Sequence, residues 1–181
     1  MAGAKSKRVL LHACCAPCAG PCLERLMEAG AEVTAYFFNP NIMPYEEFCL
    51  REENLRRLCR VYGADYVVGK YKGEHERFLE AAKGLEGLKE GGERCEKCFY
   101  LRLSAVADMA KAGGFDFFCT TLILSPHKNA ELINRIGFEV ERKVGVAYLP
   151  SDFKKRGGYE KSIELSKKYN LYRQNYCGCR F

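Results

Sequence analysis

Seven of the eleven cysteines fall into three groups whose members lie at most four positions apart. The groups are Cys14, Cys15 and Cys18; Cys95 and Cys98; and Cys177 and Cys179. Thiolates are soft ligands that bind zinc and iron–sulfur clusters, and closely spaced thiols also carry out redox exchange. The spacing therefore predicts metal binding or redox chemistry at these residues.

The number of grouped thiols exceeds what one metal centre needs. A structural zinc site closes with four ligands, and a [4Fe–4S] cluster takes four at most. The seven grouped cysteines therefore favour two metal centres, or one cluster beside reactive thiols. The C-x-x-C pair at Cys95 and Cys98 is by itself also compatible with structural zinc or with a redox dithiol.

The remaining cysteines occur singly on apolar faces, where a thiol is most often a small core side chain. They are Cys22, Cys49, Cys59 and Cys119. His12 lies in a predicted strand directly before the first group. We expect a hydrogen-bonded structural histidine there rather than a metal ligand.

Cations alternate with aromatic residues in two segments near the end of the sequence, around Tyr159 and Tyr172. Aromatic rings can stack on unpaired bases while cations neutralise phosphates. We therefore predict RNA contacts at four residues, with a plain solvated loop as the alternative for the first segment. They are Lys154, Lys155, Arg156 and Arg173.

Composition and charge narrow the class of protein. The 181 residues, 48% of them hydrophobic, suffice for one globular domain, and no run approaches a membrane span. The net charge of +6 permits an anionic partner such as nucleic acid. The start of the chain has no adequate apolar signal region, so we expect a cytoplasmic protein without a membrane partner. Neither a P-loop nor a dinucleotide-binding glycine motif is found.

Apolar runs of strand length alternate with helical patterns along the chain. The strands are predicted at residues 8–13, 32–38, 64–68, 115–124 and 146–149. The helices are predicted at 21–29, 44–62, 74–85 and 159–169, with two more beginning at Cys95 and at Ser125. This alternation predicts an α/β fold: a single-domain, Rossmann-like parallel sheet of about five strands with helices on both faces.

The predicted sheet places several polar residues at one edge. Ligands of such sheets bind beyond the carboxyl ends of the strands. The first cysteine group follows strand one, Asn39 and Asn41 follow strand two, and Asp152 follows strand five. We therefore expect the binding crevice at this edge.

Several motifs occur together in an order typical of one family. They include His12–Cys18 (HACCAPC), Phe38–Ile42, Gly92–Cys98, Ser151–Lys154 and Tyr172–Cys179. On these motifs the chain resembles the QueH-type epoxyqueuosine reductases over nearly its whole length. The resemblance implies an adenine-nucleotide α-hydrolase-like fold whose first cysteine loop lies where relatives bind ATP phosphates.

The resemblance also implies a function. Members of the family reduce epoxyqueuosine in tRNA to queuosine, the last step in making this wobble-position base, with iron–sulfur chemistry. The implied partners are a tRNA carrying epoxyqueuosine in its anticodon loop and an electron donor of unknown identity. The implied metal ligands are the seven grouped cysteines. Some members carry Asp at the position of Cys18, where a thiolate is the softer ligand.

Our sequence hypothesis divides these ligands between two cofactors. Cys15, Cys95 and Cys98 would hold a [4Fe–4S] cluster, and an adjacent iron ion would bind the other four cysteines, with Cys14 and Cys18 also catalytic. Because adjacent residues of an extended chain point opposite ways, we expect Cys14 and Cys15 to face different centres. The tail, residues 171–181, is expected to fold back onto the 14–18 loop.

Proton supply and two alternative functions complete the hypothesis. Asp152, Tyr172 and His12 are the candidates for donating protons or binding substrate. A zinc-stabilised RNA-binding module without redox chemistry is one alternative function, and a thiol–disulfide oxidoreductase is the other.

Overall fold

A computed structural model describes residues 6–181. Its sheet has five parallel strands in the order β3-β2-β1-β4-β5. The strands are β1 (Arg8–His12), β2 (Glu32–Phe37), β3 (Asp65–Val68), β4 (Phe117–Thr120) and β5 (Ala147–Tyr148). The chain moves outward from β1 to β3, and β4 then returns to the other side of β1. The strand order therefore reverses between β1 and β4, which is where such folds bind ligands.

Six α-helices and one 3₁₀ helix connect these strands in the described part of the chain. The α-helices are α1 (Ala16–Glu28), α2 (Tyr45–Tyr62), α3 (Glu74–Ala82), α4 (Glu93–Ala112), α5 (Ala130–Val144) and α6 (Gly158–Lys168). The 3₁₀ helix, Thr121–Leu124, follows β4 directly. None of the helices within residues 6–181 is both long and apolar enough to cross a membrane.

The two faces of the sheet are covered by different helices, as predicted. Val9 and Leu11 pack with residues of α1 and α2, whereas Leu10, between them, packs with residues of α4 and α5. Alternate residues of a strand point to opposite faces, so the central strand is apolar on both sides. The predicted Rossmann-like fold with helices on both faces is confirmed.

Several predicted boundaries are wrong, and each has a local cause. Helix α1 begins at Ala16 rather than at residue 21, because Pro17 is tolerated in a first helical turn. Strand β4 is only four residues long, since the Thr120 side chain accepts a hydrogen bond from Leu122 N and opens the 3₁₀ helix. Helix α5 begins at Ala130, where the Asn129 side chain caps it. It continues through Gly137 without a break.

The prediction for the single cysteines is right at three positions and wrong at one. Cys22, Cys59 and Cys119 are buried, whereas Cys49 is exposed. Cys49 follows the buried Phe48 on α2, and neighbouring positions of a helix face different directions.

Candidate metal centre

The first cysteine group lies where the strand order reverses. Cys14 follows β1, and its amide N donates to the hydroxyl of Thr121, the residue after β4, at 3.1 Å. The same hydroxyl donates to Cys14 Sγ at 3.3 Å. Asn39, after β2, donates its side-chain N–H to the carbonyl of Ala13 at 2.9 Å. Three strand ends therefore fix the backbone that presents the thiols.

The three thiols of this group meet at one point, which we call the sulfur triplet (Cys14, Cys15 and Cys18). Their Sγ atoms all lie within 4.8 Å of one another. Cys14 Sγ and Cys15 Sγ are 3.8 Å apart, so the expectation that these side chains point opposite ways is wrong, whereas the centre that each would serve stays a prediction. The chain bends at Cys14 and enters α1 directly after Cys15, so the backbone is not one extended segment.

Burial and mutual hydrogen bonding give the three thiols of the triplet different pKa values. Hydrogen bonds from the thiols of Cys15 and Cys18 lower the pKa of Cys14 well below its ordinary value. Hydrogen bonding to Cys14 raises the pKa of Cys15 to about 12, and it raises that of Cys18 as well. Of the three thiols, Cys14 therefore has the lowest pKa. A bound cation would favour releasing the remaining protons.

The second cysteine group lies in the first two turns of α4. Both Cys95 and Cys98 are buried, and Gly91 N donates to Cys95 Sγ at 3.2 Å. Burial, aided by the charges of Cys177 and Cys179 and opposed by the charge of Arg102, raises the pKa of Cys98 to about 12. Cys179 also packs against the small apolar cluster that contains Cys98. The second group therefore lies beside the tail cysteines, whereas the sequence hypothesis combined it with Cys15; the division of ligands stays a prediction.

In the described part of the chain, the sulfur triplet alone is assembled as a potential ligand set. Among residues 6–181, no second group of three potential ligand atoms comes within 4.8 Å of one another. A triplet of closely spaced thiols, with Cys15 buried and Cys14 and Cys18 half-buried, matches the soft donor set of zinc or an iron–sulfur cluster. The residues therefore fit a thiolate-bound metal group.

Helix α2 holds the tail in place. Arg51 is almost fully buried; its Nη1 donates to the Cys177 carbonyl at 2.8 Å, and its Nε donates to the Glu47 carboxylate at 2.7 Å. The Tyr172 hydroxyl donates to the same carboxylate at 3.0 Å. Met43 N donates to the Gly178 carbonyl at 3.0 Å. We call these contacts the tail clamp, and they place both tail cysteines near the other ligands.

Gly178 is required by its surroundings within this clamp. Its φ of +132° favours glycine, and a Cβ there would lie 2.9 Å from Ile42 Cγ1. The glycine between the two tail cysteines therefore allows the tail to pass close to the segment after β2.

A cavity of about 390 Å³ opens beside the triplet. All three triplet cysteines line it, together with Cys177 and the ring of Tyr176 from the tail. Lys128 also lines it; its side chain is only 9% exposed, and its Nζ lies 3.4 Å from the Glu90 carboxylate. Gln174 lines the cavity with a buried Oε1 that has no hydrogen-bond partner. The cavity thus combines thiols, an aromatic ring, a cation and a free acceptor.

The three predicted proton donors have different surroundings. His12 is fully buried and uses both ring nitrogens, with Thr120 Oγ1 at 2.8 Å and the Phe38 carbonyl at 3.0 Å. Burial, followed by the charge of Arg102, lowers its pKa to about 3, which agrees with the structural role expected for it. Asp152 Oδ1 is buried without a hydrogen-bond partner, whereas the Tyr172 hydroxyl is bonded within the tail clamp.

The predicted RNA-binding cations divide into two pairs. Lys154 donates to the Lys128 carbonyl at 2.9 Å, and Arg173 donates to the hydroxyls of Ser162 and Ser166 at 3.3 and 3.1 Å. Lys155 and Arg156 are exposed on the loop before α6. The first pair supports the walls of the site, and the second pair is accessible to a large anionic partner.

Our sequence hypothesis assigned no role to three buried cations that lie near the thiols. They are Arg51, Arg102 and Lys128. Arg102 follows Cys98 by one helical turn, and this i, i+4 spacing was the available signal. The other two come from elements distant in sequence, so only the folded chain shows their proximity to the cysteines.

This fold and site define a Rossmann-like α/β protein with a thiol-lined cleft at the point where its strand order reverses. The chain matches the family described as Epoxyqueuosine reductase QueH over residues 9–181. It is 45% identical over 182 residues to an Epoxyqueuosine reductase QueH of Staphylococcus epidermidis, covering 96% of this chain and 75% of the relative. It is 37% identical to that of Thermotoga maritima, covering 96% and 88%. The chain belongs to the QueH family of epoxyqueuosine reductases.

Solved structures support the fold independently. One described as a predicted subunit of tRNA methyltransferase from Methanocaldococcus jannaschii superposes with a TM-score of 0.60 at 15% identity, covering 89% of this chain and 74% of that one. A deacetylase from the teicoplanin biosynthesis pathway, in complex with teicoplanin, superposes with a TM-score of 0.51 at 12% identity, covering 78% and 68%. At these identities the likeness concerns the fold alone.

Proposed function

We propose that this chain reduces epoxyqueuosine in tRNA to queuosine at an iron–sulfur centre held by its grouped cysteines. Conversion of an epoxide to an alkene with release of water consumes two electrons and two protons. The observation that carries the proposal is the sulfur triplet beside the cavity, with its three Sγ atoms within 4.8 Å of one another. Membership of the QueH family supports the substrate.

The proposed cofactors are a [4Fe–4S] cluster and an adjacent iron ion. When bound, they supply single electrons and an open metal position that can act as a Lewis acid. The convergence of Cys14, Cys15 and Cys18 favours placing all three on one centre, with the cysteines of α4 and the tail serving the other. Cys14 and Cys18 keep their proposed place beside the substrate because both line the cavity.

Other cavity residues are suited to bind the modified nucleoside. Tyr176 lines the cavity, and an unpaired base could stack on its ring by replacing the Arg180 guanidinium, which lies 4.3 Å from the ring centroid. Gln174 offers a buried acceptor without a partner, so a substrate N–H or O–H would satisfy it. Asp152 does not line the cavity itself, but it remains our candidate for proton supply because one of its oxygens has no partner, whereas the Tyr172 hydroxyl is already bonded to Glu47.

The tRNA itself would be bound outside the cavity. Lys155 and Arg156 are exposed, and the net charge of +6 favours a polyanion. We propose that these two side chains contact phosphates while Lys154 and Arg173 shape the entrance. A reducing compartment such as the cytoplasm would keep the thiols available for the metal.

Anaerobic purification tests the cofactor, by measurement of iron, acid-labile sulfide and visible absorbance. We expect iron and sulfide together, and loss of both in Cys15→Ser but not in Cys49→Ser, an exposed cysteine outside the three groups. Zinc without sulfide would favour the RNA-binding module. Protein without metal, inactivated by changing Cys95 or Cys98 but not Cys14, would favour a thiol–disulfide oxidoreductase.

Reduction of tRNA carrying epoxyqueuosine tests the activity, by mass analysis of the digested nucleosides. We expect a product lighter by one oxygen atom. Binding of the tRNA should weaken steeply as salt concentration rises, since phosphate contacts release counterions. A flat salt response would indicate a free nucleoside substrate instead.

A further inference from the structure

Arg102 is a buried cation without a carboxylate partner. It lies on α4 one turn after Cys98, and its residue is 1% exposed. Among residues 6–181, no Asp or Glu oxygen lies within 4.0 Å of its guanidinium. Its Nε has no hydrogen-bond partner at all. An unpaired buried charge is costly, so the fold requires a negative group near this side chain.

The contacts that Arg102 does make connect two cysteine groups. Nη1 lies 4.0 Å from Cys98 Sγ, and Nη2 donates to the side-chain oxygen of Asn39. Asn39 in turn donates to the carbonyl of Ala13, the residue before the sulfur triplet. One guanidinium thus links α4 to the backbone of the triplet.

Thiolates are the available source of negative charge. Burial lowers the pKa of Arg102, but the negative charges of Cys98, Cys177 and Cys14 raise it above its ordinary value. The charge of Arg102 in turn acts to lower the pKa of Cys98 and of Cys14. Arg51 pairs with Glu47 and Lys128 with Glu90, whereas the buried Arg94, which acts on Cys179, donates to the backbone carbonyls of Leu85 and Glu86. Arg102 thus lies within 4.0 Å of a grouped thiol, and the thiolates are the groups that can balance its charge.

We propose that the Arg102 guanidinium is the fixed counter-cation of the cysteine-bound metal centre and raises its reduction potential. The proposal rests on the proposed function, because it assumes that the cysteines hold a redox-active centre. A nearby positive charge stabilises the reduced form, which carries one more negative charge. Arg102 is here a positioning residue and makes no contact with substrate.

Redox titration of the reconstituted protein, followed by visible absorbance, tests this proposal. In Arg102→Met we expect the equilibrium constant for one-electron reduction to fall at least tenfold, a potential lower by about 59 mV for a one-electron couple. Arg102→Lys keeps the charge and should recover most of the wild-type potential. Arg135→Met removes an exposed cation that is paired with Glu96, and it should leave the potential unchanged.

Asn39→Asp provides a second test that leaves Arg102 in place. It puts a carboxylate on the guanidinium and should neutralise it, so the potential should also fall. This variant decides the question if Arg102→Met does not fold. Wild-type potentials in the folded variants would overturn the proposal while leaving the proposed function intact. A wild-type protein that binds no iron or sulfide would overturn both, and a normal cluster without epoxyqueuosine reduction would overturn only the proposed function.

Discussion

The two halves of the proposed ligand set are positioned in different ways. The sulfur triplet is attached to the central strand and to the first turn of α1, and its three sulfur atoms lie together in the described structure. The cysteines of α4 and the tail come from two distant segments, which are held near each other by the tail clamp and by contacts of Phe181 with Phe78 and Arg94. The triplet is thus organised by the sheet itself, whereas the other half depends largely on side-chain contacts.

Because of this difference, single substitutions should affect the two halves to different degrees. Residues of the triplet are supported by backbone pairing between β1 and its neighbours, which a single side-chain change leaves in place. The tail is supported by Arg51, Glu47 and a few main-chain hydrogen bonds. Substitutions in the clamp should therefore disturb the tail ligands while leaving the triplet intact.

The largest effect is expected when a ligand of the triplet is removed. Mutating a residue that hydrogen-bonds to a metal ligand typically lowers metal affinity about 10- to 100-fold. Removing a ligand itself should cost more, so we expect Cys15→Ala to lower iron retention by more than about 100-fold. Cys179→Ala should lower it less, because the triplet stays assembled. Iron and sulfide analysis after gel filtration measures both. Equal losses of iron in Cys15→Ala and Cys179→Ala would show that the triplet and the tail cysteines do not differ in this way.

Breaking the tail clamp should have the next largest effect. Arg51→Met leaves the Glu47 carboxylate buried without its cation, which costs about 3–5 kcal/mol of unfolding free energy. Arg56→Met, on the same helix, breaks a more exposed pair with Glu52 and should cost less than about 1 kcal/mol. Urea denaturation followed by circular dichroism measures the difference. Similar losses would show that the clamp does not stabilise the fold.

A smaller effect is expected from Gly178→Ala. The φ of +132° and the close Ile42 side chain predict strain of about 1–3 kcal/mol. Release of this strain should move Cys177 and Cys179, so loss of the iron that depends on the tail should accompany the loss of stability. Gly87→Ala, where no atom lies within 4 Å of the added Cβ, is the matched control. Unchanged iron content in Gly178→Ala would argue against tail ligation.

The smallest effect is expected from Tyr172→Phe. The variant removes one hydrogen bond to Glu47, a change of about 1 kcal/mol in unfolding free energy. If the phenol has only this structural role, the rate of epoxyqueuosine reduction should fall by less than about tenfold, since general acid catalysis contributes about 10²–10⁴-fold. Single-turnover kinetics measure the rate. A fall of 100-fold at unchanged iron content would identify Tyr172 as the proton donor.

The sequence predicted the fold well because its signals are local. Each buried strand is an apolar run, and each main helix carries periodic apolar residues that end near Gly30, Gly63 or Gly113. The boundaries failed where a side chain overrides the pattern, as at Pro17 and Asn129. Such a cap or turn moves an element by several residues without changing the order of the elements.

For the site, the sequence predicted which residues could be ligands, the grouped cysteines, but not how they are arranged in space. Spacing identified the grouped cysteines, but it could not show that Cys14 and Cys15 point to one place, because this depends on the bend between β1 and α1. The roles of Arg51 and Lys128 were not predictable either, since their partners lie far away in sequence. The convergence of distant segments is a property of tertiary packing that residue spacing does not contain.

The attachment of the tail has a consequence for the timing of cofactor insertion. Cys177 and Cys179 are synthesised after all the other grouped cysteines, and the strands and helices that carry those other thiols can fold first. Until the tail has left the ribosome and Arg51 has bound the Cys177 carbonyl, the cavity beside the triplet lacks the wall that Tyr176 and Cys177 provide. A metal group held by the triplet would therefore be accessible from this side before the tail packs against it.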